Sequence, residues 1–365
     1  MSYKPPPHTP DLDDVLREGG RGTLTDLLDA ADQTGPMPGA EEEKRQAERA
    51  RWRAQLDTLA PRVGDFLADA LDQMGRRARR EETPIPLPWP GIARALRGGL
   101  WPGLHVLVGN TGSGKSQFAL QLALHAARAG VPVLYVGLEL GRSDLAARLL
   151  GLMAHRRWSG LWLGEDPELA ALGDRFGPEL AELPFRLELA PPFGWDYTRL
   201  VHLTRAVTAV EGKPPLVVLD YLQLVQSPEE KREDLRERIG RAAYAGRAVA
   251  RELNAAVLMV SSTARTNYAA LRGEGEGAAK GPRLGEGNPA RLVGLGKESG
   301  EVEFAADSVL VLTREGWGKG PPPEWSSVHV AIAKVRAGVS SWWKLEFNGG
   351  WFREPGAATP REGML

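Results

Sequence analysis

The amino-acid sequence predicts an α/β fold with a central, mostly parallel β-sheet. From about residue 91 onward, short apolar strand-like runs alternate with helical stretches, the pattern of a parallel sheet with crossover helices. A glycine-rich segment, GNTGSGKS, follows the first of these runs and opens the first helix. The last apolar runs are separated by Asn348-Gly349-Gly350, which predicts a C-terminal β-hairpin.

Each predicted element follows from a run of suitable length and composition. Strands are expected where four to eight mostly apolar residues are bounded by turn residues, and helices where apolar residues recur at helical spacing. The strands are predicted at 104–108, 133–138, 215–220, 257–261, 308–312, 327–334 and 342–347. The principal helices of this domain are predicted at 117–129, 142–153 and 235–253.

The sequence before residue 91 predicts a different organisation. Residues 1–40 are rich in Pro, Gly and Asp, which predicts a mobile N-terminal arm. Residues 41–80 have helical spacing, and the four prolines of residues 81–90 predict a linker. The main domain is therefore predicted at 91–354, with a C-terminal tail at 355–365.

The helical segment carries one apolar face. Two interpretations of this face stay open: the helix covers its own core, or it docks on a neighbouring subunit. The residues that define the face are Val63, Phe66, Leu67, Ala70, Leu71 and Met74.

The composition excludes several classes of site. The 365 residues include no cysteine, which rules out disulfides, thiolate zinc sites, iron–sulfur clusters and cysteine nucleophiles. No apolar run approaches the roughly 20 residues of a membrane-spanning helix, and the N-terminus lacks the apolar core of a signal peptide. We therefore expect a cytoplasmic protein with no membrane partner. The net charge of -1 excludes a uniformly basic surface but not a local basic channel for nucleic acid.

Residues 109–116 match the pattern G-x-x-x-x-G-K-S between a predicted strand and helix, the context of a phosphate-binding loop. Glycines let backbone N–H groups turn towards phosphates, and the following helix directs its positive end at the same anion. We expect ATP as the nucleotide, with Lys115 reaching its β- and γ-phosphates and the Ser116 hydroxyl on Mg²⁺. The candidate nucleotide-binding residues are Gly109, Asn110, Thr111, Gly112, Ser113, Gly114, Lys115, Ser116, Gln117 and Asp220.

Two acidic residues follow buried strands. Asp220 ends the run LVVLD and is expected to hold Mg²⁺ together with Ser116; the alternative is a residue that caps a turn. Glu139 ends the run LYVGLE and would orient or activate the water that attacks the γ-phosphate, if its strand neighbours the phosphate-binding loop. A glutamate in this position is otherwise usually solvated.

Six segments resemble, in order and spacing, the C-terminal motor domain of DnaB-type replicative helicases, whose wider relatives are the RecA-like ATPases. The segments are GLWPGLHVLVGNTGSGKSQFALQLA, VGLEL, PLVVLDYLQLV, ARELNAAVLMVS, LGKESGEVEFAADSVLVL and KVRAGVSSWWKLEFNGGWF, and they cover about residues 86–354. The resemblance implies a RecA-like P-loop NTPase core with a helical N-terminal extension. It also implies an ATPase that forms a hexameric ring, hydrolyses ATP at subunit interfaces and moves on single-stranded DNA as a helicase.

The resemblance implies roles for individual residues. Glu139 lies where the family has its catalytic glutamate, and Asp220 where it has its Walker B aspartate. Lys334 and Arg336 of KVRAG match the pair that reaches the γ-phosphate bound by the adjacent subunit, and they join Lys115 and Glu139 in the expected catalytic set. From spacing alone, Lys334 and Arg336 also fit a pair of exposed charges after an edge strand.

Two departures from the family pattern bear on function. The family's sensor segment Ser-Gln-x-x-Arg reads SSTAR here, so Ser262 replaces the glutamine while Arg265 retains the arginine. We therefore expect altered coupling between the γ-phosphate and the DNA loops. No segment resembles the helical N-terminal domain that normally recruits primase, and the short N-terminal arm suggests plasmid, phage or mobile-element replication.

Two segments, 226–238 and 266–295, are predicted to face the pore of such a ring and bind single-stranded DNA through its phosphates. The second also fits a mobile surface insertion, because acidic residues dilute its charge. The candidate DNA-binding residues are Arg232, Arg236, Arg272, Lys280, Arg283 and Arg291.

The expected partners are single-stranded DNA, further copies of the chain in a hexamer or helical homo-oligomer, and a loader or replication protein. The serine at position 262 and the low density of basic residues in the predicted DNA-binding loops favour an alternative function. In that alternative the chain is a RecA-like regulatory or scaffold ATPase, which assembles and recruits partners without unwinding DNA.

Overall fold

The structure, a computed structural model, forms two compact units, Met1–Glu82 and Thr83–Leu365. Of the predicted arm (1–40) and tail (355–365), residues 1–38 and 357–365 lie outside the described residues, and residues 39–40 belong to a helix. The described ranges are 39–60, 62–189, 197–220, 235–262, 285, 287–293, 300–314 and 324–356.

The first unit contains two helices, α1 (Gly39–Leu59) and α2 (Val63–Ala78). Helix α2 begins with the Arg62 N–H donating to the Asp65 carboxylate at 3.0 Å, and arginines in its last turn suit the negative end of the helix dipole. The helical N-terminal region is therefore as predicted. None of the α2 residues is buried, and Leu71 is 57% exposed.

The second unit is built on one sheet, which has nine strands among the described residues, in the order β3-β2-β4-β5-β1-β6-β7-β8-β9. Neighbours from β3 to β6 are parallel, and those from β6 to β9 are antiparallel. This confirms the predicted mostly parallel sheet. The strands are β1 Gly103–Gly109, β2 Val133–Gly137, β3 Phe185–Leu189, β4 Leu216–Asp220, β5 Ala256–Ser262, β6 Ser308–Arg314, β7 Ser326–Val335, β8 Ser341–Phe347 and β9 Phe352–Arg353.

Helices cover both faces of the sheet. Because successive strand residues point to opposite faces, Leu107 of β1 enters one core with Phe118, whereas Val106 enters a second core with Ile239. The helices are α3 Pro90–Ala95, α4 Lys115–Arg128, α5 Arg142–Ala154, α6 Trp158–Trp162, α7 Leu169–Glu182, α8 Tyr197–Glu211, α9 Leu235–Glu252 and α10 Gly300–Ala305, with a 3₁₀ turn at Pro289–Leu292.

The segment predicted as a linker, 81–90, contains the boundary between the two units, and most of it packs on the second unit. The second unit begins at Thr83, and Ile85 pairs with Leu100 in an antiparallel bridge. Trp89 is 1% exposed and stacks on Phe118 with ring centroids 4.0 Å apart. The prolines prevent regular secondary structure in this segment, but they do not prevent its apolar side chains from packing into the core.

The predicted C-terminal hairpin is confirmed, since β8 and β9 pair antiparallel. The Asn348 side chain closes its turn by accepting hydrogen bonds from the N–H groups of Gly350 and Trp351. The buried Gln121 amide of α4 holds β9 in place, because it donates to the Phe352 carbonyl at 2.8 Å and accepts from the Phe352 N–H at 2.7 Å. The hairpin therefore lies along the first half of α4, from Gly114 to Gln121.

Candidate nucleotide-binding site

The glycine-rich loop (residues 109–116) connects the central strand β1 to α4. Gly112 and Gly114 have φ values of +78° and +97°, the left-handed region that favours glycine. A Cβ atom on Gly114 would also lie 2.8 Å from the Phe352 ring, so the hairpin leaves no room for a side chain. The loop is closed by Ser113, whose hydroxyl donates to the Asn110 carbonyl at 2.8 Å. Among the residues that the structure describes, no donor reaches the buried Asn110 Oδ1 atom.

Lys115 is a buried cation at the base of this loop. Its ammonium donates to the carbonyls of Gly109 and Asn110, both at 2.9 Å. Burial lowers the pKa of Lys115 to about 8, against the attraction of Asp220 and Glu139. The negative charge of a bound triphosphate would stabilise the charged form of this buried ammonium.

Asp220 lies beside the first turn of α4. Its Oδ1 accepts a hydrogen bond from the Ser116 hydroxyl at 3.2 Å, and its Oδ2 accepts one from the Tyr135 hydroxyl at 2.7 Å. Burial raises the pKa of this carboxyl, whereas the two hydrogen bonds and Lys115 oppose the rise. A hydroxyl and a carboxylate are oxygen ligands of the kind Mg²⁺ prefers, so Ser116 and Asp220 fit that ion.

Glu139 reaches the same edge of the sheet because β2 and β4 are neighbours. Gly137 pairs with Asp220, and the Leu138 N–H donates to the Asp220 carbonyl at 2.8 Å. The Glu139 side chain lines the cavity. Partial desolvation is the larger cause that raises its pKa, the charge of Asp220 raises it further, and Lys115 opposes the rise. Strand β2 is not a neighbour of β1, because β4 and β5 lie between them, so the expected condition for Glu139 is not met as stated. Glu139 nevertheless lines the same cavity as Lys115.

These groups line one cavity of about 340 Å³. Its volume is within the range of small-molecule sites. Glycine N–H groups, a buried ammonium and a buried carboxylate are the donor set that a magnesium-bound nucleotide requires.

Several residues that were not predicted from sequence also line this cavity, among them Arg148, Trp158 and Arg314. The Arg148 guanidinium lies 3.9 Å from the centre of the Trp158 ring, donates to the Gln117 side chain at 3.3 Å, and has its pKa lowered by burial. Arg314 could have been found from sequence, because it ends the strand beside β1. No sequence signal marked Arg148, within α5, or Trp158, at the start of α6, and the two meet because these helices pack together.

Residues 94–353 match the model of the DnaB-like helicase C-terminal domain. The chain belongs to this family. It is 28% identical over 260 residues to the replicative DNA helicase DnaB of Leifsonia xyli subsp. xyli (strain CTCB07), covering 70% of this chain and 52% of the relative. It is 25% identical over 252 residues to a probable replicative DNA helicase of Trieres chinensis, covering 67% and 51%. The chain thus spans about half the length of these curated relatives.

Solved structures share the fold of this DnaB-like domain. One of them, an isolated ATPase domain, superposes with a TM-score of 0.65 at 21% identity, covering 79% of this chain and 98% of that one. A DnaB-like replicative helicase, from the structure of that protein and its interactions with primase, superposes with a TM-score of 0.63 at 18% identity, covering 94% and 87%. These likenesses confirm the predicted RecA-like core.

Lys334 and Arg336 lie at the other end of the sheet from the glycine-rich loop of their own chain. Val335, between them, pairs with Ser308 at the start of β6, whereas the far end of β6 lies beside Gly109. The Lys334 ammonium donates to a main-chain carbonyl of α10 at 3.1 Å, and Arg336 forms an ion pair with an aspartate just before β6. The structure does not bring either residue to the nucleotide cavity of the same chain.

The remaining predicted residues fall into two groups. Ser262 ends β5 and lines the nucleotide cavity, while Arg291 is exposed in the 3₁₀ turn. The side chain of Arg236, in α9, is outside the described part of the structure, as are Arg232, Arg265, Arg272, Lys280 and Arg283. In the part of the chain that is described, no helix is both long and apolar enough to cross a membrane.

Proposed function

We propose that this chain is the ATP-driven motor of a ring-forming DNA helicase, with each nucleotide held between two copies. The separation of the glycine-rich loop from Lys334 and Arg336 carries the proposal. Arg336 directly follows Val335, which pairs with Ser308 at the start of β6. Ser308 in turn pairs with His105, so Arg336 lies near the start of β1. The loop begins after Gly109, about 17 Å further along the strand. If Arg336 stays near the start of β1, it can act only on a nucleotide that is bound by another copy of the chain.

Residues of one chain would bind and orient the nucleotide. The loop N–H groups and Lys115 hold the phosphates, and Ser116 and Asp220 hold Mg²⁺, which withdraws negative charge from the phosphates when bound. Glu139 orients the attacking water and accepts its proton, and its raised pKa makes it a better base than an ordinary glutamate. Arg336 and Lys334 of a second copy neutralise the charge that develops on the γ-phosphate.

Two apolar surfaces support assembly of several copies. The exposed α2 face includes Phe66, Leu67 and Leu71. A groove of about 630 Å³ in the second unit runs between α5, α7 and the edge strand β3. We propose that α2 of one copy packs in this groove on the next, where its apolar side chains leave water. The groove is lined mainly by Leu145, Ala146, Leu149, Leu150, Leu180, Leu187 and Leu189.

Matched substitutions on α2 test this packing. Leu67→Glu places a charge on the apolar face, whereas Ala68→Glu adds the same side chain to an exposed position turned towards the polar face. Sedimentation analysis should show loss of the ring with Leu67→Glu and normal assembly with Ala68→Glu. Equal assembly of the two variants would remove α2 from the interface.

Single-stranded DNA is the proposed track, bound by segments 226–238 and 266–295 facing the pore. A loader or replication protein and a cytoplasmic location are parts of the same proposal, and family membership supports them. A role in plasmid, phage or mobile-element replication stays a prediction from the sequence.

One observation favours a second candidate, a regulatory ATPase that assembles without unwinding. Ser262, which lines the nucleotide cavity, has a shorter side chain than the glutamine of the family pattern and gives a weaker link to the DNA loops. Unwinding of a tailed fork separates the two candidates. We expect ATP-dependent strand separation that Lys115→Ala abolishes. Intact ATP binding without unwinding of any tailed substrate would support the regulatory ATPase.

A further inference from the structure

Asp307 joins the start of β1 to Arg336 through both its main chain and its side chain. Its N–H donates to the Leu104 carbonyl at 2.7 Å, and its carbonyl accepts from the Arg336 N–H at 2.8 Å. Carboxylate Oδ2 accepts from the Leu104 N–H at 2.9 Å, and Oδ1 pairs with Arg336 Nη1 at 3.0 Å. All four contacts come from one residue of the loop before β6.

The surroundings leave space for this carboxylate and fix it. Gly103 has a φ of +153°, and a Cβ atom at this position would lie 2.7 Å from Asp307 Oδ2. Two residues after Gly103, His105 Nδ1 lies 2.7 Å from the Ser308 hydroxyl, a contact that links the start of β6 to β1. The Asp307 side chain is 22% exposed and that of Arg336 is 55% exposed. The ion pair therefore holds one nitrogen of the guanidinium against a partly buried carboxylate, while the rest of the side chain remains accessible to solvent.

The ion pair uses only part of the Arg336 guanidinium. An arginine has five N–H donors, and one Nη1 contact leaves other donors for a second anion. A free arginine side chain must be ordered before it makes a bidentate contact with a phosphate, and that ordering weakens the contact. The Asp307 carboxylate orders the guanidinium before any phosphate arrives.

We propose that Asp307 is a positioning residue for Arg336, holding the guanidinium in the orientation in which it meets a triphosphate bound by a neighbouring copy. The inference rests on the proposed trans role of Arg336. A purely structural role would need only the acceptor for the Leu104 N–H, which an asparagine also provides. The second oxygen and its negative charge are needed only by Arg336.

Asp307→Asn tests the inference, with Glu346→Gln as a matched control that removes another carboxylate of the same sheet, one paired with Arg353 at 2.7 Å. We expect Asp307→Asn to lower the kcat of ATP hydrolysis on the order of 10- to 100-fold, because misplacing a reacting group by about 1 Å can cost on the order of 100-fold. Its KM for ATP, its nucleotide affinity and its assembly should stay unchanged, because the nucleotide is held by the other copy. Glu346→Gln should leave all of these values unchanged.

A double-mutant cycle shows whether Asp307 acts through Arg336. In an Arg336→Ala background, single-turnover hydrolysis should be the same with Asp or Asn at position 307. A further loss in that background, or loss of nucleotide binding by Asp307→Asn alone, would overturn the inference.

The outcomes also separate the inference from the proposed function. Wild-type kcat in Arg336→Ala would remove the trans role itself. A loss of activity in Arg336→Ala together with wild-type kcat in Asp307→Asn would overturn only the positioning role.

Discussion

The Tyr135 hydroxyl donates a hydrogen bond to Asp220 Oδ2 at 2.7 Å, although the two residues are 85 positions apart in the chain. Both residues are buried, and the neighbouring strands β2 and β4 bring them together. The bond occupies one carboxylate oxygen, so the other is turned towards Ser116 and the nucleotide cavity. Tyr135 thereby sets both the orientation and the charge of the expected Mg²⁺ ligand.

Tyr135→Phe should weaken Mg²⁺-dependent nucleotide binding, most strongly at low pH. Burial already raises the pKa of Asp220, and removal of a hydrogen bond that favours the charged form raises it further. Because Mg²⁺ needs the ionised carboxylate, its apparent affinity falls as pH drops through that pKa, and the fall should begin at higher pH in the variant. Loss of such a bond to a charged group costs about 1.5–3 kcal/mol.

Titration of Mg²⁺ against a fluorescent nucleotide at pH 6 and pH 8 measures this shift. The control is Tyr244→Phe, because Tyr244 is 52% exposed in α9 and removed from the cavity. The same pH dependence in Tyr135→Phe and in the control would contradict the prediction.

Nucleotide affinity should fall as pH rises through about 8, the pKa of Lys115. A bound triphosphate favours the charged ammonium and raises this pKa, so above pH 8 binding must take up a proton and is weakened. The folded pKa lies below the unfolded value, so the nucleotide-free protein should gain stability between pH 8 and the usual lysine pKa of about 10.4. Lys115→Arg, which stays charged, should remove both dependences in binding titrations and denaturant unfolding. Pronounced pH dependence in Lys115→Arg would assign the effect to another group.

Gly114→Ala should abolish nucleotide binding and destabilise the fold more than Gly130→Ala does. Both glycines have positive φ values, +97° and +77°, so both substitutions incur the left-handed penalty of about 1–2 kcal/mol. Only at Gly114 does the new Cβ meet a neighbour, the Phe352 ring at 2.8 Å, whereas nothing lies within 4 Å at Gly130. Denaturant unfolding and nucleotide titration of both variants compare the two effects. Equal destabilisation would show that the hairpin ring gives way to the methyl group.

The sequence predicted the central sheet and the glycine-rich loop because both depend on local patterns. Apolar runs predicted β1, β2 and β4, and the G-x-x-x-x-G-K-S spacing predicted the turn into α4. Strand β3 was missed, because FRLEL alternates charged and apolar residues at the sheet edge and lacks a continuous apolar run.

Other parts of the site depend on tertiary contacts that no local pattern records. Arg148 and Trp158 meet only because α5 and α6 pack together, and Tyr135 appears in sequence as an ordinary buried strand residue. The packing of the predicted linker was missed for a related reason. Prolines report the local backbone, but Trp89 is held by residues far along the chain, including Phe352.

Trp89→Ala should therefore destabilise the second unit by about 3–5 kcal/mol, the usual cost of truncating a buried tryptophan. The ring stacks on Phe118, contacts Phe352 edge-on at 6.2 Å between ring centroids, and donates its N–H to the Phe352 carbonyl at 3.4 Å. Trp162 is 49% exposed, and Trp162→Ala should change stability by less than about 0.5 kcal/mol. Denaturant unfolding of both variants measures the difference. Because Phe352 also lies against Gly114, Trp89→Ala should weaken nucleotide binding as well. Unchanged stability in Trp89→Ala would show that the packing of Trp89 does not stabilise the second unit.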